Sequence, residues 1–143
     1  MKSFLEKVID DDPKTVEKFQ KALEKNGISG TAYETFRTEV RAGNAAEFKN
    51  LSIIVTDSYI CNYNPLVIRF NLIPISSVTR LYRTNIRPDG YSFEWFWLKI
   101  EMSNGTYDLL SSQMRNSANS PKILDVYNDV IADVMRRKEG IAL

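Results

Sequence analysis

Histidine is absent from this 143-residue chain, and cysteine occurs once, at Cys61. The absence of histidine excludes catalytic triads that use an imidazole and zinc sites that need His ligands. A single thiol also excludes an internal disulfide and a zinc site built from several cysteines. Glycine and proline are few, with 6 and 5 residues, which excludes a disordered or fibrous protein and is compatible with an ordinary globular one. We therefore predict no catalytic residue, no metal site and no cofactor.

A strong net charge and long apolar runs are missing as well. Nineteen basic residues oppose 18 acidic ones, for a net charge of +1. Because nucleic-acid binding depends on neutralising phosphates, this balance predicts no nucleic-acid partner. The longest apolar stretch, residues 51–55, is too short to span a bilayer, and residues 1–12 carry too many charges for a signal peptide. We expect a cytoplasmic protein with no membrane partner.

Helical patterns fill the first third of the chain. Asp12 is a helix-capping residue placed directly before Pro13, which suits the first helical turn because its missing N–H has no partner there. Further short apolar stripes at helical spacing follow. The pattern changes near Phe48, so we predict a helical appendage at residues 1–48 and a β domain with a C-terminal helix at residues 49–143.

Alternating apolar and polar residues indicate strands in the middle of the chain. We predict six antiparallel strands between Leu51 and Leu110, and we interpret the polar residues 111–120 as a loop. An apolar stripe from Ile123 to Val134 then predicts an amphipathic helix that ends at Gly140. The expected fold class is α+β.

Asn104-Gly105 is the strongest turn signal in the chain. A two-residue type I′ turn needs positive φ at both central residues, which this dipeptide tolerates. Such a turn places Met102 opposite Tyr107 and Ile100 opposite Leu109. One face of the hairpin is then almost wholly apolar, with Phe96, Leu98, Ile100, Met102, Tyr107 and Leu109. The other face carries Phe93, Trp95, Trp97, Lys99, Glu101, Thr106 and Asp108.

The run "LSIIVTDSYICNY…IRFNLIPISSVTRLYR", together with the C-terminal helix, resembles a bacterial pleckstrin-homology-like (PH-like) domain over roughly residues 51–138. The resemblance implies a bent antiparallel β-barrel or sandwich of six to seven strands, capped by the helix. The family usually has seven strands, so the seventh is missing, comes from the N-terminal part or lies within residues 111–120. The family's lipid-binding members hold phosphates with basic residues near the first hairpin, whereas Asp57 stands there, so we expect no phosphoinositide partner.

Phe93, Trp95 and Trp97 form a candidate partner surface. Three interpretations are open. The N-terminal helices or a second copy of the chain cover the rings, or the rings anchor a partner, as aromatic residues do at interface hot spots. The third is base stacking, which calls for a basic groove that Lys99 and Arg80 alone do not make.

Arg80 and Arg83 extend this candidate surface. One register places Arg83 opposite Glu94 and Arg80 opposite Trp97, as parts of a solvated edge with local salt bridges. The alternative is that clustered positive charge attracts an acidic partner.

The leading functional hypothesis is a non-enzymatic, cytoplasmic interaction module that binds a protein or peptide partner or forms a homodimer. The rival is a small enzyme or ligand-binding protein with a carboxylate, tyrosine and arginine site built from Glu94, Tyr82 and Arg80. No basic residue stands near Cys61 in the sequence, so we expect a small packed residue rather than a nucleophile. The acidic triplet at residues 10–12 lacks the spacing of a calcium loop, and we expect it to cap a helix and to be solvated.

Overall fold

The computed structural model describes residues 4–28, 30–64, 69–86, 94–114 and 120–142. The helices and strands are α1 (Phe4–Ile9), α2 (Pro13–Lys25), α3 (Gly30–Arg41), β1 (Ala46–Phe48), β2 (Ile53–Val55), β3 (Tyr59–Asn64), β4 (Arg69–Pro74), β5 (Val78–Ile86), β6 (Trp95–Met102), β7 (Tyr107–Met114) and α4 (Ser120–Ala142). The strands form two antiparallel sheets, in the orders β1-β2-β3-β4 and β5-β6-β7, and within the described ranges they close no barrel. The predicted α+β class is confirmed.

Two compact units divide the chain, Met1–Ile75 and Ser76–Leu143. The first holds the three N-terminal helices and the four-stranded sheet, and the second holds the three-stranded sheet and α4. The boundary that we expected between residues 48 and 49 stays a prediction.

In the first unit, α1, α2 and α3 share one hydrophobic core with the sheet. Asp12 caps α2 as predicted, since its Oδ2 accepts a hydrogen bond from the Thr15 N–H at 3.0 Å, and Pro13 lies in the first turn. The Phe19 ring is fully buried, with its centroid 5.0 Å from that of Tyr33 and 5.8 Å from that of Phe36. The sheet contributes Ile54, Cys61, Tyr63 and Leu72 to this core.

A strand that the sequence patterns did not indicate, β1, begins the first sheet and pairs with β2. It is only three residues long, which is too short for an alternating pattern to be detected. Glu47 in this strand accepts hydrogen bonds from the Tyr63 hydroxyl at 3.2 Å and from the Leu5 N–H at 3.4 Å. The strand count is therefore seven in the described residues rather than six.

In the second unit, the turn between β6 and β7 differs from the predicted type I′ turn. The Gly105 N–H donates to the Met102 carbonyl at 3.0 Å, and the Met102 N–H donates to the Thr106 carbonyl at 2.9 Å. Gly105 has a φ of 86°, whereas Asn104 has no positive φ. The loop thus has three residues, Ser103 to Gly105, with the glycine alone in the left-handed region, as in a type I turn followed by a bulge.

This longer loop shifts the register of β7 by one residue. Tyr107 pairs with Glu101 and Asp108 pairs with Ile100, so the predicted pairs Met102–Tyr107 and Ile100–Leu109 are wrong. Because side chains alternate along a strand, a shift by one moves Tyr107 to the other face. Tyr107 is 66% exposed rather than part of the apolar face.

A bulge then restores the alternation towards the end of β7. The register shifts between Leu98 and Lys99, and Leu110 is the extra residue. Ser111 pairs with Leu98 and is buried. Strand β7 runs on to Met114, so the first part of the predicted loop at residues 111–120 is strand.

Helix α4 packs on the face of the second sheet that carries Phe96, Leu98 and Ile100. Tyr127 of α4 is fully buried, and its hydroxyl donates to the Phe96 carbonyl at 3.1 Å and forms a hydrogen bond with the Ser111 hydroxyl at 2.9 Å. Burial raises the pKa of Tyr127. The helix continues to Ala142, so the predicted end at Gly140 is wrong.

We expect Gly105→Ala to lower the free energy of unfolding by roughly 1–2 kcal/mol, because an L-residue in the left-handed region meets its own carbonyl. The control is Gly30→Ala, at the start of α3 and outside the left-handed region, for which we expect no loss and a gain of up to about 1 kcal/mol. A Cβ meets nothing within 4 Å at either position, so steric contact with neighbouring side chains contributes to neither result. Urea denaturation monitored by circular dichroism measures both variants, and equal losses would contradict the role of Gly105.

We expect Tyr127→Phe to cost roughly 1–3 kcal/mol, because the Phe96 carbonyl and the Ser111 hydroxyl each lose a buried partner. The matched control is Tyr107→Phe, at an exposed ring, with an expected change below about 0.5 kcal/mol. Thermal unfolding compares the two. If Tyr127→Phe unfolds at the wild-type temperature, its hydroxyl does not anchor α4.

Candidate functional site

One face of the three-stranded sheet gathers aromatic and charged side chains. Along β6 the described side chains alternate: Phe96, Leu98 and Ile100 are buried, whereas those between them are half-buried. The strand pairings place partners from β5 and β7 on the same side as these half-buried residues. We call this surface the aromatic face, and its members are Arg80, Tyr82, Trp95, Trp97, Lys99, Glu101 and Tyr107.

Arg80 and Tyr82 lie two residues apart on β5 and therefore on the same side. The Arg80 guanidinium carbon is 3.8 Å from the centroid of the Tyr82 ring, which is a close cation–π contact. The Tyr82 hydroxyl donates to Glu101 Oε1 at 3.3 Å, and Glu101 is also the register partner of Arg80. The ring thus holds the cation on one side and points its hydroxyl at a carboxylate.

A second cation lies on a second ring across the neighbouring strand pair. The Lys99 Nζ is 4.3 Å from the centroid of Tyr107, and the two residues come from β6 and β7. Such contacts contribute about 0.5–1 kcal/mol at exposed sites. The Lys99–Tyr107 contact exists only because the three-residue loop places Tyr107 on the same side as Glu101 and Lys99.

The five residues of the predicted partner surface separate into three groups. Trp95, Trp97 and Arg80 lie on the aromatic face. Arg83 pairs with Leu98 and so belongs to the opposite side of the sheet, where it is exposed. Phe93 lies outside the described residues.

The predicted register of the arginines is wrong. Arg80 pairs with Glu101 rather than with Trp97, and Arg83 pairs with Leu98 rather than with Glu94. The two arginines are three positions apart, an odd spacing, so they point to opposite faces of the strand. The sequence spacing already contained this information. A single basic face with both arginines is excluded.

The sequence also missed Tyr107 as a site residue, because the assumed type I′ turn placed it in the interior. The rival enzyme site of Arg80, Tyr82 and Glu94 is only partly assembled. Arg80 and Tyr82 are in contact, but Glu101 is the carboxylate beside them.

Cys61 is fully buried in the core of the first unit, as predicted, on the same side of β3 as Tyr59 and Tyr63. Burial raises the pKa of the thiol well above its ordinary value. A nucleophilic cysteine needs the opposite, namely a thiolate stabilised by positive charge.

The acidic residues that precede α2 have structural roles. Asp12 caps the helix, and Asp11 forms ion pairs with Arg37, at 3.0 Å, and with Arg41. The hydrogen bond from Arg41, assisted by the charge of Arg37, holds the pKa of Asp11 below its usual value. Among the residues that the structure describes, no group of three His, Cys, Asp or Glu side chains could hold a metal ion.

A shallow depression of about 350 Å³ lies on α3, lined by Thr31, Glu34, Thr35, Thr38 and Glu39. Two of its polar groups are used within the fold. The Glu39 carboxylate accepts from the Ser58 N–H at 3.0 Å and from its hydroxyl at 2.5 Å, and the Thr38 hydroxyl donates to the Glu34 carbonyl at 2.9 Å. The Glu39 contact joins α3 to the turn between β2 and β3.

No helix in the described part of the chain has the length and apolar character that crossing a membrane requires. No protein-family model, curated protein or solved structure matches this chain. A functional proposal therefore depends on the aromatic face itself.

We expect Cys61 to be unreactive towards a thiol reagent in native buffer and to react fully in urea, because the folded core excludes the reagent and disfavours the thiolate. The positive control is Cys61→Ala with Ser112→Cys, which presents a thiol at an exposed position and should react without urea. The absorbance of the coloured thiolate that the reagent releases when it reacts with a cysteine measures both reactions. Native labelling of Cys61 as fast as in urea would show that the thiol is accessible.

Proposed function

We propose that this protein is a non-enzymatic interaction module that binds a protein or peptide partner on the aromatic face. One observation carries the proposal: two cations lie on tyrosine rings, Arg80 on Tyr82 and Lys99 on Tyr107, beside two half-buried tryptophans on the same side of one sheet. Tryptophan, tyrosine and arginine are the residue types enriched at the energetic centres of protein interfaces.

The partner in this proposal is an extended segment that carries acidic side chains next to apolar ones. Arg80 and Lys99 outnumber Glu101, the one carboxylate assigned to the aromatic face, so the face favours negative charge. Because each ring already restricts its cation, binding costs less side-chain entropy than it would for freely rotating cations. The half-buried surfaces of Trp95 and Trp97 supply apolar contact for the rest of the segment.

A PH-like architecture belongs to the same proposal. Seven strands in two antiparallel sheets, followed by a helix that packs on the second sheet, support it, and β1 supplies the strand that the sequence patterns lacked. We propose a cytoplasmic bacterial protein, and the single, buried Cys61 supports this because the chain carries no internal disulfide that would need an oxidising compartment. Asp57 is exposed in the turn between β2 and β3, the first turn of the PH-like region. Its negative charge there would repel phosphate groups, which supports the absence of phosphoinositide from the partners.

The rival enzyme has one observation in its favour, the contacts among Arg80, Tyr82 and Glu101. These groups lie on a sheet face and are half-buried or exposed. Acid–base catalysis gains most where water is excluded around the reacting groups. The arrangement therefore favours recognition over catalysis.

The test is selection of a random peptide library against the full-length chain, followed by affinity measurements on synthesised peptides. We expect selected peptides to combine acidic and apolar residues, and Arg80→Ala to weaken their binding by about tenfold, equivalent to about 1.4 kcal/mol. Arg83→Ala is the matched control, because it removes the same side chain from the opposite side of the same strand, and it should leave affinity unchanged.

Equal losses from the two variants would contradict binding on the aromatic face. Self-association is tested separately by sedimentation equilibrium of the chain without peptide. A dimer that Arg80→Ala dissociates and Arg83→Ala does not would make a second copy the occupant of this face.

A further inference from the structure

The apex of the β6–β7 hairpin brings together the reacting groups of a spontaneous backbone modification. Asn104 is followed by a glycine, whose amide nitrogen has no neighbouring side chain to hinder attack on the asparagine side-chain carbonyl. Residues 103–106 are all exposed, so water and base reach them. A Cβ on Gly105 would meet nothing within 4 Å, which confirms the open space around this peptide unit.

The closed turn holds both reacting groups in other hydrogen bonds. The Gly105 N–H donates to the Met102 carbonyl at 3.0 Å. The Asn104 Oδ1 accepts from the Thr106 N–H at 3.0 Å and from the Thr106 hydroxyl at 2.6 Å. Attack requires the nitrogen to lose its proton and the side chain to rotate towards it, and these hydrogen bonds oppose both movements.

We propose that Asn104 is a self-modification site, at which the Gly105 nitrogen displaces ammonia from the Asn104 side chain at a rate set by the opening of this turn. The nitrogen lone pair forms a bond to Asn104 Cγ, and the Cγ–Nδ2 bond breaks. Ammonia leaves with the proton that Gly105 gives up, and a cyclic imide remains. Water then opens the imide at either carbonyl and produces aspartate or isoaspartate.

The modification would act on the loop that determines the register of β7. Isoaspartate routes the backbone through the side chain and so adds one methylene to the three-residue loop. Both products also add a negative charge at the apex. The pairing of Tyr107 with Glu101, and with it the Lys99–Tyr107 contact, depends on the length of this loop.

The experiment incubates the full-length wild-type chain and Thr106→Val in mildly alkaline buffer, with and without urea, and quantifies conversion at Asn104 by peptide mass spectrometry. We expect wild-type conversion to be at least about tenfold slower in the folded chain than in urea. Thr106→Val removes one hydrogen bond to Asn104 Oδ1, so the folded chain should convert roughly threefold to tenfold faster than wild type. In urea the two chains should convert equally.

Two controls separate local opening from general unfolding. Thr79→Val removes a hydroxyl that donates to the Glu101 carbonyl at 3.1 Å in the same sheet, and it should leave the Asn104 rate unchanged. Asn26-Gly27, the second Asn-Gly pair of the chain, should convert at its wild-type rate in every folded variant. Equal wild-type rates with and without urea would overturn the proposal, as would equal acceleration by Thr79→Val and Thr106→Val.

Discussion

The path of β7 through the second unit depends on the backbone conformation at Gly105. Within the loop from Ser103 to Gly105, this glycine is the residue with a positive φ, and it closes a loop of three residues rather than two. A difference of one residue in a hairpin loop exchanges the two faces of the following strand. Tyr107 consequently joins Lys99 and Glu101 instead of entering the interior. The bulge at Leu110 reverses the exchange a few residues later, and Ser111 returns to the side from which Tyr127 of α4 binds it.

The same two deviations from regular pairing therefore serve the core and the surface together. Without the bulge, the side chains at the end of β7 would keep the shifted alternation, and Ser111 would not meet α4. Without the three-residue loop, Lys99 would have no ring beneath it. Because a helix anchor and a cation–π contact both follow from the path of β7, the hydrogen bond of Tyr127 and the position of Tyr107 are linked through the backbone rather than through direct contact.

Much of the architecture was predictable from local signals, since Asp12 and Pro13 define the start of α2 and the alternation from Trp95 to Ile100 separates buried from half-buried residues. The predictions that failed concern elements whose structure depends on strands distant in the sequence, or turn signals that fit more than one conformation. Asn-Gly suits a type I′ turn, but its glycine equally suits a loop that needs a single positive φ. Strand β1 is too short to carry a pattern, and the polar end of β7 becomes strand because β6 offers it a partner.

The candidate site shows which part of a sheet surface a sequence can determine. Within a stretch of strand that has no bulge, side chains alternate regularly between the two sides: Arg80 and Tyr82 share a side of the sheet, and Arg83 lies on the other, whatever the register. Which residues of the next strand lie on that same side depends on the length of the loop and on bulges. These features involve only a few residues, and several turn conformations of similar energy compete for them. The sequence spacing within β5 and within β6 already predicts which neighbours in the strand share a side with Arg80 and with Lys99. The cation–π contact between Lys99 and Tyr107, by contrast, follows only from the conformation of the loop. A surface that spans three strands is therefore predictable strand by strand, and its assembly is decided by the turns.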